Sequence, residues 1–190
     1  MQIPYNWGAT PDELLLQFPC DRFVQKPYTA YYRGITINAS AKTLFPWLCQ
    51  MRVAPYSYDW IDNFGRQSPQ KLILGLDNLV IGQNLMFIFE LIDFEQNRYI
   101  TLRLKPNKIG FRVLGDCLVS YLIVSQGRNT CRLLVKLTLK YSPGLLHWLV
   151  RTFSVWGDFI MMRRQLLNFK FLSEQSQKEV SGTKDISVAS

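Results

Sequence analysis

Tyr56-Ser57-Tyr58-Asp59-Trp60 sets two phenols, a hydroxyl, a carboxylate and an indole in five consecutive residues. A phenol beside a carboxylate suits proton transfer to and from a bound carbonyl compound, so Tyr58 and Asp59 are the candidate acid–base pair. A purely local role competes with that chemistry. Asp59 can accept from nearby backbone donors while the rings pack, which is the usual fate of a buried polar group and the expected one. Arg163-Arg164, five and six residues after Asp158, suggest a carboxylate or phosphate clamp. A solvated helix end is the expected reading, given how little exposed ion pairs contribute.

Other catalytic sets are excluded by composition. A single histidine, His147, nearly excludes the usual zinc sites and Ser-His-Asp triads, and a neutral ring packed beside Trp148 is expected ahead of a lone catalytic histidine. Cys20, Cys49, Cys117 and Cys131 show no CxxC spacing and read as free thiols in a reducing compartment. Cys49 and Cys131 are expected to be buried and inert. Neither a metal nor a cofactor is expected. The first ten residues lack a basic region followed by an apolar run, so a cytoplasmic location is expected. The most apolar stretch, residues 144–162, contains His147, Arg151, Gly157 and Asp158, which argues against a membrane span.

The 22 Lys and Arg exceed the 14 Asp and Glu by eight. Between residues 98 and 140 stand nine bases and a single acid, Asp116, so that region accounts for the whole net charge. Arg103, Lys105, Arg132, Lys136 and Lys140 fall on outward strand positions there. Such a face suits anionic lipid headgroups. Aromatic side chains do not interleave with these charges as in single-strand binders, so nucleic acid is not an expected partner. Plain solvation is the default.

These groups must be positioned by elements that the periodicity outlines. In an N-terminal arm, residues 1–30, Thr10-Pro11 with Glu13 begins a short helix. Residues 31–38 alternate as a first strand, with Ile35 and Ile37 on one face. Ser40 caps a helix carrying Ala41, Leu44, Phe45 and Leu48, which Pro46 should keep short or bent. A second short helix spans residues 58–64 and stops at Gly65. From Asn84 the period becomes two: Leu85, Phe87, Phe89 and Leu91, then Ile100, Leu102 and Leu104, each line up on one face. Residues 117–125 and 130–141 flank Gln126-Gly127-Arg128-Asn129 as a hairpin; a two-residue turn would set Cys131 against Val124 and Cys117 against Thr138. Ser142-Pro143 starts a helix reaching about Leu172, roughly 45 Å long. Its stripe is Leu145, Leu149, Phe153, Trp156, Ile160, Leu167 and Phe171. Residues 31–173 make the domain, and 174–190 read as a disordered tail for want of apolar periodicity.

That order has one two-layer solution, an α+β fold in which a curved antiparallel sheet wraps a long C-terminal helix, with two short helices after the first strand. A bent sheet cannot touch a straight helix everywhere, and the space left is where a small molecule binds. Phe87, Phe89, Phe153 and Trp156 are large enough to plug it instead.

Trp7-Gly8-Ala9-Thr10 with Asp12-Glu13, Ile35-Thr36-Ile37-Asn38-Ala39 leading into Phe45-Pro46-Trp47-Leu48-Cys49-Gln50-Met51, the Tyr56–Trp60 element and residues 159–167 together resemble the START-like helix-grip superfamily, also called SRPBCC. The similarity is to its polyketide-cyclase/dehydrase and lipid-transport branch, whose members tolerate proline at the position of Pro46. The glycine-rich stretch usual after the Gln-Met pair is shortened here to Arg52-Val53-Ala54-Pro55, at the expected pocket mouth. The resemblance implies a helix-grip fold and an apolar ligand. The expected function is binding or carrying a hydrophobic small molecule (a lipid, isoprenoid or polyketide-like compound) against Trp47, Tyr58, Phe87, Phe89, Ile100, Leu102, Leu122, Leu133, Val135, Trp156 and Ile160. A cyclase/dehydrase-type enzyme and a peripheral membrane protein are the alternatives.

Overall fold

Alternating side chains sort the strands into two faces, and the two faces meet different parts of the chain. The computed structural model describes residues 3–106, 115–140 and 145–188, the last stretch with side-chain detail at 153 and 155–181. In chain order the elements are β1 (Asn6–Trp7), α1 (Pro11–Leu14), β2 (Thr29–Ile37), α2 (Ala41–Cys49), α3 (Asp59–Asp62), β3 (Asn84–Leu85), β4 (Phe89–Glu95), β5 (Tyr99–Leu104), β6 (Asp116–Ser125), β7 (Cys131–Lys140) and α4 (Leu145–Val188). The strands form one sheet in the order β1-β2-β7-β6-β5-β4-β3. The expected Ser142-Pro143 helix start lies outside the described residues, as do the side chains of His147 and Trp148.

The meander is antiparallel, but the sheet is mixed, because Asn6 and Trp7 of the arm pair in parallel with Tyr32 and Arg33. Glycine makes that edge possible. At Gly8, with φ +74°, an added Cβ would lie 2.1 Å from the Gly34 carbonyl oxygen, so neither strand could approach the other with a side chain there. The hairpin register also differs from expectation. Cys131 pairs with Ser125 and Cys117 with Leu139, since the loop is longer than two residues and Gln126 N–H bonds back to Thr130 O. All four cysteines are buried and free. Burial pushes the Cys20 and Cys49 thiols up to about 12 and Cys131 to about 11, which keeps them protonated and unreactive.

One sheet face carries Ile100, Leu102, Leu104, Val119, Tyr121, Leu133, Val135 and Leu137, buried with Leu44, Phe45 and Leu48 of α2 and Leu166, Phe169 and Leu172 of α4. Ser40 Oγ accepts from Thr43 N–H to begin α2, and Pro46 sits within it. The helix ends three residues after that proline, consistent with its missing donor.

The opposite face is not an open basic surface. The arm crosses it and buries Leu118 and Leu134 under Phe18 and Cys20. Lys136, only 6% exposed, pairs with Asp21 at 2.5 Å and lies against the rings of Phe18, Tyr28 and Tyr32. Arg132 pairs with Glu13 and Arg103 with Asp116, both at 2.7 Å, and Lys105 donates to Asn84. Of the five cations expected to face a membrane, Lys140 alone stays exposed without a described partner. At Arg132 and Lys136 the local charge excess misled because their counter-ions lie in the arm, over 100 residues earlier.

Residues 174–181, expected as tail, continue α4 and fasten the β2–α2 corner. Glu174 Oε1 accepts from Asn38 N–H at 2.8 Å. Gln177 Oε1 accepts from Ser40 N–H at 3.0 Å and from Thr43 Oγ1 at 2.8 Å, and Ser176 Oγ accepts from Trp47 Nε1 at 3.1 Å. Hydrogen bonds hold this stretch, and apolar periodicity does not register them.

Candidate ligand pocket

Between the apolar sheet face and α4 lies a cavity of about 400 Å3. Val119, Tyr121, Leu137 and Leu139 floor it, and Gly157, Asp158, Met161, Met162 and Gln165 roof it. Pro55, Ser57, Asp62, Met86, Ile88 and Phe89 close its sides. Gly157 borders the cavity and is itself exposed. Glycine inside a helix costs about 1 kcal/mol relative to alanine, yet a Cβ built there meets nothing within 4 Å. No packing constraint demands glycine; what its bareness leaves is space. A larger hollow of about 770 Å3 lies on the outer face between the arm and the β5–β6 edge. Its charged groups are already engaged, Arg22 with Asp93 and Arg98 with Glu95, and it opens to water.

Asp158 is a half-buried charge of the pocket wall. Its Oδ2 lies 2.9 Å from Nη2 of Arg33, a residue only 2% exposed on the inward face of β2. The guanidinium also donates to Tyr32 O at 2.9 Å and Tyr5 O at 3.3 Å, and lies over the Phe159 ring. Burial pushes the Asp158 carboxyl up to about 6, although Arg33 opposes that rise. Asp158 therefore does not pair with Arg163-Arg164; Arg163 stacks on Trp7 instead. A carboxyl raised in the folded state favours folding when protonated. That contribution is complete below about pH 4 and is lost as pH rises to about 6, at close to 1 kcal/mol per pH unit in between. Urea unfolding at pH 5 and pH 7 should show this loss in the native chain and not in Asp158→Asn. Equal pH slopes in both would show that Asp158 does not titrate there.

Beside it, buried Tyr121 donates to Gln165 Oε1 at 2.7 Å, and Gln165 Nε2 donates to Pro55 O at 2.6 Å. Burial raises the Tyr121 phenol, so it stays neutral. Asp62 accepts from Ser57 Oγ through one oxygen, while Oδ1 is buried with no described partner. Burial first, then the nearby Asp59 charge, raises the Asp62 carboxyl.

Of the Tyr56–Trp60 element, Ser57 lines the pocket. Asp59 accepts from Ser68 N–H at 2.8 Å and Ser68 Oγ at 2.5 Å, the local role expected of it, and Tyr58 is half-buried outside the pocket wall. Tyr56 donates to Pro69 O and accepts from Gln50 Nε2, both at 2.9 Å. Gln50 also takes the Ile73 N–H at 2.9 Å, and Arg52 donates to Gly75 O and Leu76 O. The shortened stretch at residues 52–55 thus clamps the loop of residues 65–83.

The expected ligand-contacting residues separate into groups. Phe89 lines the cavity. Ile100, Leu102, Leu133 and Val135 are core beside it, and Trp47 is buried against α4. Leu122 lies on the other face, toward Phe18. Phe87 is 47% exposed: left-handed φ values at Met86 and Phe87 turn the chain outward between β3 and β4 and break the alternation. Trp156, Ile160 and Phe153 are on the exposed side of α4, so they do not plug the space. The buried stripe is instead Val155, Asp158, Met162, Gln165, Phe169 and Leu172, and its polar members hid it. An isolated Asp within an apolar helix, and an Arg sharing the inward parity of Ile35 and Ile37, were the available signals for the Arg33–Asp158 pair.

No family model and no curated protein matches this chain. Solved structures do. A solution structure from Thermobifida fusca has a TM-score of 0.50 at 12% identity, covering 75% of this chain and 94% of that one. The fold is a helix-grip one. Two further structures have lower TM-scores. A norcoclaurine synthase from Thalictrum flavum, in complex with a transition-state analogue, has a TM-score of 0.42 at 12% identity, covering 74% of this chain and 96% of that one. The di-domain ARO/CYC BexL of the BE-7585A biosynthetic pathway gives 0.45 at 11% identity, covering 76% of this chain and 46% of that one. Among the described residues of this helix-grip chain, no helix is long and apolar enough to cross a membrane, and no cluster of acids, cysteines and histidine suits a metal ion.

Proposed function

We propose that the protein binds or carries a hydrophobic small molecule in the cavity between the sheet and α4. The observation that carries this reading is an apolar space of about 400 Å3 with a few convergent polar groups. That size lies within the roughly 300–1,000 Å3 of small-molecule pockets. Native mass spectrometry of the purified full chain tests it. An added small-molecule mass, or uptake of an apolar ligand from a panel of lipids, isoprenoids and polyketide-like compounds, is expected. A chain that is ligand-free and takes up nothing from the panel would refute it.

One observation favours a cyclase- or dehydrase-type activity as the second reading. Asp158, whose carboxyl burial pushes up to about 6, stands in an apolar pocket beside a neutral phenol, Tyr121. Such a pair suits proton movement on a bound polyketone, and it shifts the candidate acid–base residues away from Tyr58 and Asp59. Under this reading Asp158→Asn retains ligand uptake and loses turnover; unchanged turnover removes Asp158 from the mechanism.

A further inference from the structure

The pocket's hydroxyl and amide protons are already committed, and the Cys117 thiol adds only a weak donor. Tyr121 gives its hydroxyl proton to Gln165 Oε1, Gln165 gives an amide proton to Pro55 O, and Ser57 gives its proton to Asp62. What remains facing the cavity, among the described residues, is acceptor capacity. Asp62 Oδ1 is buried without a partner, and Asp158 uses only its Oδ2, toward Arg33. No Lys, Arg or His lies in the described wall of a chain that carries 22 Lys and Arg. Arg33, whose Nε lacks a described partner, stands behind Asp158 and is not part of that wall. Its charge offsets that of Asp158, so Asp62 is the uncompensated anion.

A buried acceptor without a donor is costly, and a ligand that supplies the donor removes the penalty. A ligand that brings a second anion adds like-charge repulsion in a poorly solvated site. From this, and resting on the proposed binding function, we infer that the molecule accepted here is an apolar compound bearing a protonated amine, whose N–H groups Asp62 and Asp158 receive. Fatty acids and phosphate-headed lipids are thereby disfavoured. The charge of the whole protein, +8, acts in the opposite sense. Nonspecific attraction would draw carboxylates, so an amine preference can only come from the pocket.

Titration calorimetry of the full chain with decylamine, 1-decanol and decanoate, each below its aggregation concentration, tests the inference. Decylamine should bind at least tenfold more tightly than decanoate, with decanol between them. Asp62→Asn keeps an acceptor for Ser57 and should bring decylamine to within a few-fold of decanol while leaving decanol unchanged. Decanoate binding as tightly as decylamine overturns the inference, as does an amine preference undiminished in a folded Asp62→Asn. Should that variant not fold, the native chain's order of affinities decides the matter alone. Decanol binding without any amine preference overturns this inference but leaves the pocket function standing; no binding of any of the three overturns both.

Discussion

Replacement of Arg33 by methionine should lower the unfolding free energy by about 3–5 kcal/mol at pH 8, the range found when one partner of a buried ion pair is removed. Methionine conserves the apolar length of the side chain and discards the charge. The guanidinium is 2% exposed and holds Asp158, Tyr32 O and Tyr5 O together. Without it, Asp158 is left as an uncompensated carboxylate at an apolar wall. Its only escape is to take up a proton, so the loss should shrink toward pH 5, where the carboxyl is largely neutral. Arg33→Met combined with Asp158→Asn removes the orphaned charge and should recover a large part of the deficit. Urea midpoints with unchanged m-values measure all three variants. A deficit under 1 kcal/mol at pH 8 would mean that the pair does not hold β2 to α4.

Gly157→Leu is expected to abolish ligand uptake, or weaken it at least tenfold, while leaving the protein at least as stable. Leucine is a better helix former than glycine by nearly 1 kcal/mol, and the built Cβ meets no atom within 4 Å. Gly157 is exposed and borders the cavity, so the isobutyl group meets no packed atoms there and narrows the cavity from its rim. Gly157→Ala should supply most of the helical gain and retain most of the binding, since one methyl group takes up little of about 400 Å3. Thermal melts and native mass spectrometry read the two properties separately. Undiminished uptake by the leucine variant would place the ligand elsewhere. A stabilising change that costs activity is the usual mark of a site whose openness is maintained against local stability.

The elements legible in the chain were those governed by one period. Ile100, Leu102 and Leu104, and Cys131 through Leu139, are buried as their alternation requires. Long-range pairing was less legible. Nothing local in Lys136 announces Asp21, nor in Ser40 announces Gln177, because both partnerships join segments more than 110 residues apart. The pocket suffered most. Its helix side mixes Gly157, Asp158 and Gln165 into an apolar face, and a search for apolar periodicity slides onto the exposed row of Phe153, Trp156 and Ile160. Met86 and Phe87 misled differently: alternation continues through them in the letters while their left-handed backbone turns the chain away.

The bonds from Gln177 to Ser40 and Thr43 bear on how the molecule is made. They join residues 137 and 134 positions apart, so the start of α2 waits for its partner until Gln177 has left the ribosome. Together with the β1 pairing, they make the stretch between Asn6 and Gln177 a parcel tied on two sides, completed only once Gln177 has been made.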